Sequence, residues 1–572
     1  VPDVTGIDKI FDYLVPSQLV AKATLGSRVR IDLNGRRVGG CVVSLVPFDE
    51  YTDFDTDKLS AVVSVSGAGV EPELLDLTQW IAAHWWGSWR AVLSSATAPR
   101  ARMRAINAHY GSSPTPPTDE VAGVTRELAL TGGGLLVVPP LASALNVVAT
   151  LAVNGPVLAV CPTQRMASVG AASLRRRGFT TAVVPQEWEA ARAGVDVVIG
   201  ARSAVLAPCA GMSSIVVIDE HDELLQEERA PTWDAPTVAI ERARRAGVAC
   251  IVTSAVPSLR ARLRHADVVA EVTVDRGWPQ IRIVDLANVP VSGSLLSSEM
   301  LECVALPNST TVIVLNTKGK ARLIACKSCR ALQACPTCES LLTQNDNGEL
   351  VCDRCSTSLG SVCVSCGRAS FVVARGGTGH LKNQLEKSQS RSVVEVTAES
   401  DDSWTSGSVF LGTEAVLYRV PSAQHIVFAD IDRDLGAPRM SAPQEVAALI
   451  ARAARIVGAP GSVVVQTRQP QHPLLQALAS ENPQQALSNW ADEQMTQSRM
   501  LGLPPFSAVV KISVSAPRTI DEVPTIAGIN MARTDGEVLL RAASHAEMSD
   551  AVAHIRSVLG TSVRVHANPA RF

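Results

Sequence analysis

Short apolar runs recur along the middle of the chain, each about as long as one buried strand: "GLLVVPP", "PVLAVCPTQ", "TAVVP", "VDVVIGARS", "SIVVIDE" and "ACIVTSAVPS". Helix-length segments separate them. Strands that are apolar on both faces and alternate with helices predict a parallel sheet covered by helices. A second series, "TVIVLN", "SVFLGT", "HIVFADID" and "SVVVQT", predicts a second sheet of the same kind. The two ends of the chain read differently. "SRVRIDL", "GGCVVSLV" and "SAVVSVSG" have β character and precede a helical stretch from Leu75 to Trp86, while residues 476–572 read as an α+β unit entered by a helix that ends near "LGLPPFS". "GSSPTPPTD" (111–119) is a linker by composition, and no short-period repeat is evident.

The chain has 572 residues, enough for three or four domains. The expected boundaries are 1–105 for the β-rich unit, 106–127 for a linker, 128–295 and 296–475 for the two α/β lobes, and 476–572 for the last unit. Lys plus Arg number 52 against 55 Asp plus Glu, so any basic surface must be local. Local clusters stand at Arg100, Arg102 and Arg104, at Arg175 to Arg177, and at Arg242 to Arg245; such clusters are usually solvated helix faces. Leu128 to Gln164 carries no charge, but Gly132, Gly133, Gly134, Pro139, Pro140 and Asn146 interrupt it. A buried strand and helix are expected there rather than a membrane span. No signal peptide is visible at the N-terminus, although the chain begins at Val1.

Eight of the 13 cysteines form four C-x-x-C knuckles, at Cys326/Cys329, Cys335/Cys338, Cys352/Cys355 and Cys363/Cys366. The other five, Cys41, Cys161, Cys209, Cys250 and Cys303, stand singly in apolar or small-residue settings and read as core residues of a reducing compartment. A knuckle lets two thiolates reach one tetrahedral ion, so four knuckles hold two Zn²⁺. Three pairings are formally open. The 13 residues between the inner two knuckles suit a zinc ribbon, whereas five separate the first from the second, which favours a nested pairing. The metals would fold a platform with little hydrophobic core of its own.

"IVVIDEHDELL" (215–225) runs a strand into a cluster of acids, as an Mg²⁺-binding acid box does. A motor of that class also needs a Gly-rich phosphate loop ending in Gly-Lys-Ser or Gly-Lys-Thr. The chain has none. Its Gly-Lys pair ends at Lys320 and is followed by Ala321, and the stretch before "PVLAVCPTQ" reads "TGGGLLVVPPLASALNVVATLAV", with glycines but no lysine.

In this order the pieces resemble PriA, the bacterial family of primosomal proteins that restart stalled replication forks. The resemblance rests on "FDYLVP" followed by "GSRVRI", on "GARSAVLAP", "VIDEHD", "TSAVPS", "LGTEAVLYRVPSAQHIVFADID" and "SRMLGLPPFS", and on the eight-cysteine insertion after the first strand of the second sheet. It implies a multidomain α/β fold. A β-rich DNA-binding domain precedes two RecA-like parallel-sheet lobes, with a two-zinc insertion at 320–372 and an α+β C-terminal domain. It implies that Cys326, Cys329, Cys363 and Cys366 bind one zinc and Cys335, Cys338, Cys352 and Cys355 the other. It also implies that Phe11, Asp12, Tyr13 and Gly35 receive the 3′ end of a DNA strand, where an aromatic can stack on the base and a carboxylate accept from the 3′-hydroxyl. The bland reading makes Phe11 and Tyr13 core and Asp12 a turn residue. A lysine of that pocket aligns here with Ser60, with Lys58 nearby.

The motor motifs depart from the family together. Asp219, Glu220 and His221 remain of an acid box that is one acid short, and the coupling threonine is Val256. "NTKG" stands for "NRRG", and "ARAARIVG", with Arg452 and Arg455, for the arginine-finger motif. The expectation is a replication-restart protein without helicase activity of its own. Asp219, Glu220 and His221 would be a relic, with Asp219 a strand-end or helix-cap residue, and no ATP–Mg²⁺ site is expected. Expected partners are forked and single-stranded DNA, primosome proteins, the replicative helicase or its loader, and single-stranded DNA-binding protein. The chain is expected to be a cytoplasmic, nucleoid-associated monomer. Two rivals stand beside this: an active 3′→5′ helicase that cradles nucleotide in the "TGGG" loop, and a zinc-dependent scaffold with weak DNA contacts.

Overall fold

The computed structural model describes all residues except 48–49, 51–57, 68, 99–106, 112–113, 287–294, 317–322, 330, 332, 338–341, 346, 353–354, 356, 376–377, 390, 397–399, 401–407, 438, 517, 535 and 568–572. Two compact units result. One comprises Val1–Val138, Ser143–Thr273 and Gln494–Phe572, the other Pro139–Ala142 and Val274–Glu493.

The first unit opens with a three-stranded antiparallel sheet of order β2-β1-β3: β1 (Arg28–Leu33), β2 (Arg36–Cys41) and β3 (Ser64–Gly67). Along β1, Val29 and Ile31 are buried while Arg30 and Asp32 are exposed, the alternation of a half-buried strand. Asn34 and Gly35 turn the hairpin with φ of 50° and 75°, which suits the Asn-Gly pair. The helices Leu75–His84 and Trp89–Ser95 follow. Asp8 caps the second of them from afar, accepting from the N–H groups of Trp89 and Arg90 at 3.0 Å each.

Seven parallel strands form the main sheet of this unit: β4 (Gly133–Val137), β5 (Val157–Val160), β6 (Thr181–Val184), β7 (Val197–Gly200), β8 (Ser214–Val217), β9 (Ala249–Ser254) and β10 (Val269–Glu271), in the order β10-β4-β9-β8-β5-β7-β6. β4 to β8 are buried along their whole length, as their unbroken apolar runs predict.

In the second unit, β11 (Gln280–Asp285) and β12 (Thr311–Val314) precede the cysteine module, whose small antiparallel sheet is β13 (Leu323–Cys326), β14 (Thr343–Gln344), β15 (Leu350–Val351) and β16 (Phe371–Arg375). The chain then completes a six-stranded parallel sheet with β17 (Val393–Val396), β18 (Val409–Gly412), β19 (His425–Phe428) and β20 (Ser462–Thr467), ordered β11-β20-β19-β12-β18-β17.

The last strands return to the first unit. β21 (Ala508–Val514), β22 (Asn530–Thr534), β23 (Glu537–Ala542) and β24 (Val563–Ala567) form an antiparallel sheet packed by the helix His545–Leu559. One hydrophobic core joins three parts of the unit: Ile81 and Leu93 of the early helices, Ile215 and Val252 of the main sheet, and Leu540 and Ile555 of the last.

Three expected boundaries are corrected. β11 was placed by sequence within 128–295, but it pairs in parallel with β20 and so belongs to the second lobe. Alternating "IRIVD" suits an edge strand of either sheet, and sequence adjacency is a poor guide to partner choice. The linker 106–127 contains the start of a helix, Glu120–Leu130, capped by Asp119. Its earlier part is also anchored: the buried Asp196 accepts from Gly111 N–H at 2.8 Å, and His109 N–H donates to Gly194 at 2.9 Å. The final unit begins inside the helix Pro483–Met500, near Gln494, rather than at 476.

Candidate functional site

Cys326 ends β13 and Cys352 follows β15, so the small sheet itself sets the spacing of the cysteine clusters. The sulfurs of Cys326, Cys329, Cys363 and Cys366 all lie within 4.8 Å of one another, and so do those of Cys335, Cys352 and Cys355. Cys338 lies outside the described residues. This grouping is the nested one. Cys326 and Cys366 sulfurs stand 3.5 Å apart, those of Cys329 and Cys363 3.7 Å, and those of Cys335 and Cys355 3.5 Å. Sulfurs bound at ~2.3 Å to one tetrahedral Zn²⁺ stand about 3.8 Å apart, whereas a disulfide needs ~2.0 Å, so the donor set fits the ion.

Knuckle N–H groups support the thiolate forms. Ser365 and Cys366 donate to the Cys363 sulfur at 3.3 and 3.4 Å. Burial pushes the Cys363 thiol up, but these two N–H groups and the side chain of Gln333 bring it down to about 6. Thr357, through its hydroxyl and its N–H, draws Cys355 down to about 6 as well. Cys335 and Cys352 of the inner cluster belong to a small core with Ile324, Leu342 and Leu350.

At the N-terminal domain, Phe11 is 39% exposed and Asp12 is exposed. Tyr13 turns inward. Its ring packs on the Val29, Ile31 and Val62 core, and its hydroxyl donates to the Asp32 carbonyl at 3.1 Å. Burial, then the Asp32 charge, pushes the Tyr13 pKa up. This brings "FDY" beside β1, a few residues from the Asn34–Gly35 turn; Ser60 lies alongside, its carbonyl accepting from Leu14 N–H at 3.0 Å. Tyr13 is thus packed inward, while Phe11 and Asp12 are presented to solvent. Gly35 is exposed and its positive φ accounts for it.

Ligands of parallel sheets bind at the carboxyl ends of strands. Between β4 and the helix Leu145–Leu151, where a phosphate loop would stand, Pro139 and Pro140 have no N–H to offer. Leu141 N–H donates to Gly277, Ala142 to Pro139, Asn146 to Ser143 and Val147 to Ala144. The "TGGG" rival is corrected here. Those glycines precede or begin β4, at its amino end. A Cβ on Gly133 would lie 2.0 Å from the Cys250 carbonyl oxygen and one on Gly134 2.5 Å from that of Val268, so close packing accounts for both residues.

In the acid box, Glu220 and His221 make hydrogen bonds within the chain. Glu220 is buried and accepts from Ser258 twice, from its N–H at 2.7 Å and its hydroxyl at 2.9 Å, at the start of the helix Leu259–Arg264. Burial, the larger effect, raises its pKa against these donors. His221 Nδ1 lies 2.6 Å from the Ser254 hydroxyl. Asp219 is a buried strand-end residue with φ of 55°, and the capping falls to Asp222, which accepts from Leu224 N–H at 3.0 Å. Arg202 of "GARSAVLAP" donates to the Leu224 and Gln226 carbonyls and pairs with Glu227 at 3.0 Å.

In the second lobe, Asn316 of "NTKG" accepts from Glu414 N–H of "GTEAVLYR" at 2.7 Å and donates to Asp434 at 3.0 Å; residues 317–320, with Lys320, lie outside the described set. Sequence reasoning missed Asp8, Asp196 and Gln333. None belongs to a motif, and their partners are remote in the chain.

The site thus comprises a β-rich domain with an exposed aromatic and carboxylate, two parallel-sheet lobes and two cysteine clusters. Residues 1–98 match the family model of the 3′DNA-binding domain (3′BD) of PriA. The chain is 25% identical over 362 residues to "Replication restart protein PriA" of Thermotoga maritima, covering 58% of this chain and 48% of that one. Against the protein of the same name from Haemophilus influenzae it is 25% identical over 361 residues, 58% and 49% of the two chains. Bacillus subtilis PriA gives 23% over 363 residues, 58% and 44%. The chain is similar to the PriA replication restart proteins and spans about half the length of the curated relatives it matches. Among solved structures, S. cerevisiae Dbp5 bound to RNA and ADP BeF3 aligns over 75% of this chain and 92% of its own at 12% identity, with a TM-score of 0.32, too loose a likeness to carry weight. No helix among the described residues is long and apolar enough to cross a membrane.

Proposed function

We propose that this chain recognises abandoned replication forks by structure, holding the 3′ end of a strand at Phe11 and Asp12, and that it supports reloading of the replicative helicase without driving a motor of its own. The 3′DNA-binding domain over residues 1–98 carries the first part. Phosphate contacts would supply most of the affinity and the strand end the specificity. Against a motor stands the turn after β4, where two prolines and four committed N–H groups replace a phosphate cradle. Two Zn²⁺, one in each cysteine cluster, hold the insertion folded. The partners on this reading are forked and single-stranded DNA and the helicase-loading proteins.

The test is fork binding and ATP turnover on one zinc-loaded sample. Forks ending in a 3′-hydroxyl are expected to bind more tightly than forks blocked by a 3′-phosphate, with ATP hydrolysis at background on both. Equal affinity for the two ends would overturn the end-recognition reading; DNA-stimulated hydrolysis would overturn the motor-free one.

A further inference from the structure

Gln333 stands between the two cysteine clusters in sequence, four residues after Cys329 and two before Cys335. It is 1% exposed. A buried carboxamide is costly unless its donor and acceptor are both used, and here both are. Its Oε1 accepts from Val364 N–H at 2.9 Å, and its Nε2 donates to the Ala331 carbonyl at 2.8 Å. Its main chain is committed as well, the N–H donating to Ile324 at 3.0 Å and the carbonyl accepting from Leu342 N–H at 2.8 Å.

These four bonds reach both clusters. Val364 lies inside the Cys363-x-x-Cys366 knuckle, where the N–H groups of Ser365 and Cys366 point at the Cys363 sulfur. By taking the Val364 N–H, Gln333 fixes the turn that aims the other two. Ile324 lies two residues before Cys326, so the outer cluster is gripped at both of its knuckles. Leu342, on the opposite side, packs in the small core with Cys335 and Cys352 of the inner cluster. A shift of either cluster is thus felt by the other through one residue, whose side chain holds the Cys363 knuckle and whose main chain holds Ile324 and Leu342.

We propose that Gln333 is a positioning residue that couples the two metal centres, so that the chain binds and releases its two zinc ions as a pair. The inference rests on the reading that each cluster holds one zinc. An outer knuckle without its ion loses the fixed Val364 N–H, leaves the Gln333 acceptor unpaired, and loosens the strand and core that place Cys335 and Cys352. Loss of one ion therefore speeds loss of the second.

The test uses the full chain loaded with zinc, with metal content measured first by mass spectrometry under native conditions. Zinc release to a chromogenic chelator is then followed in time. The native chain is expected to carry two ions and release them in one phase. Gln333→Met, which keeps the volume and removes both side-chain bonds, is expected to split release into two phases at least tenfold apart in rate. Cys366→Ser, at the exposed edge of the outer cluster, is expected to speed release of the inner ion at least tenfold, and it decides the matter if Gln333→Met does not fold. Two ions leaving the native chain independently, with the inner rate unchanged in Cys366→Ser, would overturn the coupling while leaving the two-zinc reading intact. Fewer than two ions in the native chain would overturn both.

Discussion

The guanidinium of Arg452 lies 3.9 Å from the centre of the Tyr418 ring. The two residues come from "ARAARIVG" and "GTEAVLYR", two of the segments in which the chain resembles PriA proteins or departs from their motor motifs. A guanidinium over an aromatic face gains about 0.5–2 kcal/mol, which it would have to give up to reach a phosphate. The contact joins the helix Ala442–Val457 to the short helix Val416–Arg419. Tyr418→Leu is expected to destabilise the second unit by about 0.5–2 kcal/mol in urea titration and to leave ATP turnover at background. A rise in turnover on freeing Arg452 would refute this reading.

Glu220 makes the same point in the first lobe. A glutamine there keeps an acceptor for Ser258 N–H and a polar atom facing the Ser258 hydroxyl, but carries no charge. The carboxyl is raised by burial, so the folded state holds its proton to higher pH than the unfolded chain, and stability falls as pH rises from the unfolded pKa of ~4.3 through the folded one. Glu220→Gln is expected to flatten that fall, leaving Tm at pH 7 equal or higher and fork binding unchanged. Glu220→Ala strands the Ser258 N–H and is expected to cost about 1–3 kcal/mol. A native ATPase lost in Glu220→Gln would mean that the acid box still works.

What the sequence makes legible here is what local pattern determines. The runs "PVLAV", "VDVVIG" and "SIVVI" are apolar on both faces and became central strands. The cysteine spacing restricted the pairing because a knuckle is a local structure. What stayed hidden depends on remote partners. Composition marks 111–119 as a linker, yet Asp196, 85 residues from Gly111, binds it to the flank of the sheet. β11 sits beside β20, and its two-residue period cannot say in which sheet. "TGGG" invites a phosphate-loop reading because glycine permits close approach, but what approaches is the neighbouring backbone at Cys250 and Val268. Tyr13 shows the limit of motif transfer. It shares a motif with Phe11 and Asp12, and a strand period would put Phe11 and Tyr13 on one face; the ring of Tyr13 alone packs on the Val29, Ile31 and Val62 core, a placement set by β1, remote in the chain.

The junction of the early helices with the last one should respond to acid. His84 stacks between Trp80 and His545, with ring centres 4.7 and 4.3 Å away. Burial, and then the neighbouring His545, holds its pKa down to about 4; Asp234 and Glu241 oppose this weakly, and Arg264 adds to it. In the unfolded chain a histidine titrates near ~6.5. The stability tied to a neutral His84 is therefore fully present above ~6.5 and is lost as pH falls from there toward 4. His84→Phe keeps a ring in the stack and removes the titration. Calorimetry is expected to show a smaller drop in Tm between pH 6.5 and 4 for the variant than for the native chain; parallel curves would mean that His84 does not titrate in this window.

Phe11 and Tyr13 can be separated experimentally because the fold separates them. Tyr13→Phe removes only the hydroxyl bonded to the Asp32 carbonyl, an exposed bond whose loss is expected to cost no more than about 0.5 kcal/mol of stability. It should leave the preference for a free 3′-hydroxyl untouched. Phe11→Ala deletes an exposed ring and is expected to do the reverse, with Tm nearly unchanged and binding of 3′-ended forks weakened by about 1–3 kcal/mol, the worth of one base–aromatic stack. If the proposed end recognition holds, Asp12→Ala should abolish discrimination between a 3′-hydroxyl and a 3′-phosphate, because an exposed carboxylate there would accept from the first and repel the second. Competition binding with the two fork ends, run beside thermal melts of all three variants, distinguishes these effects. If Tyr13→Phe lost end preference while Phe11→Ala kept it, the strand end would lie on the inner side of the motif, against the Val29 and Ile31 core.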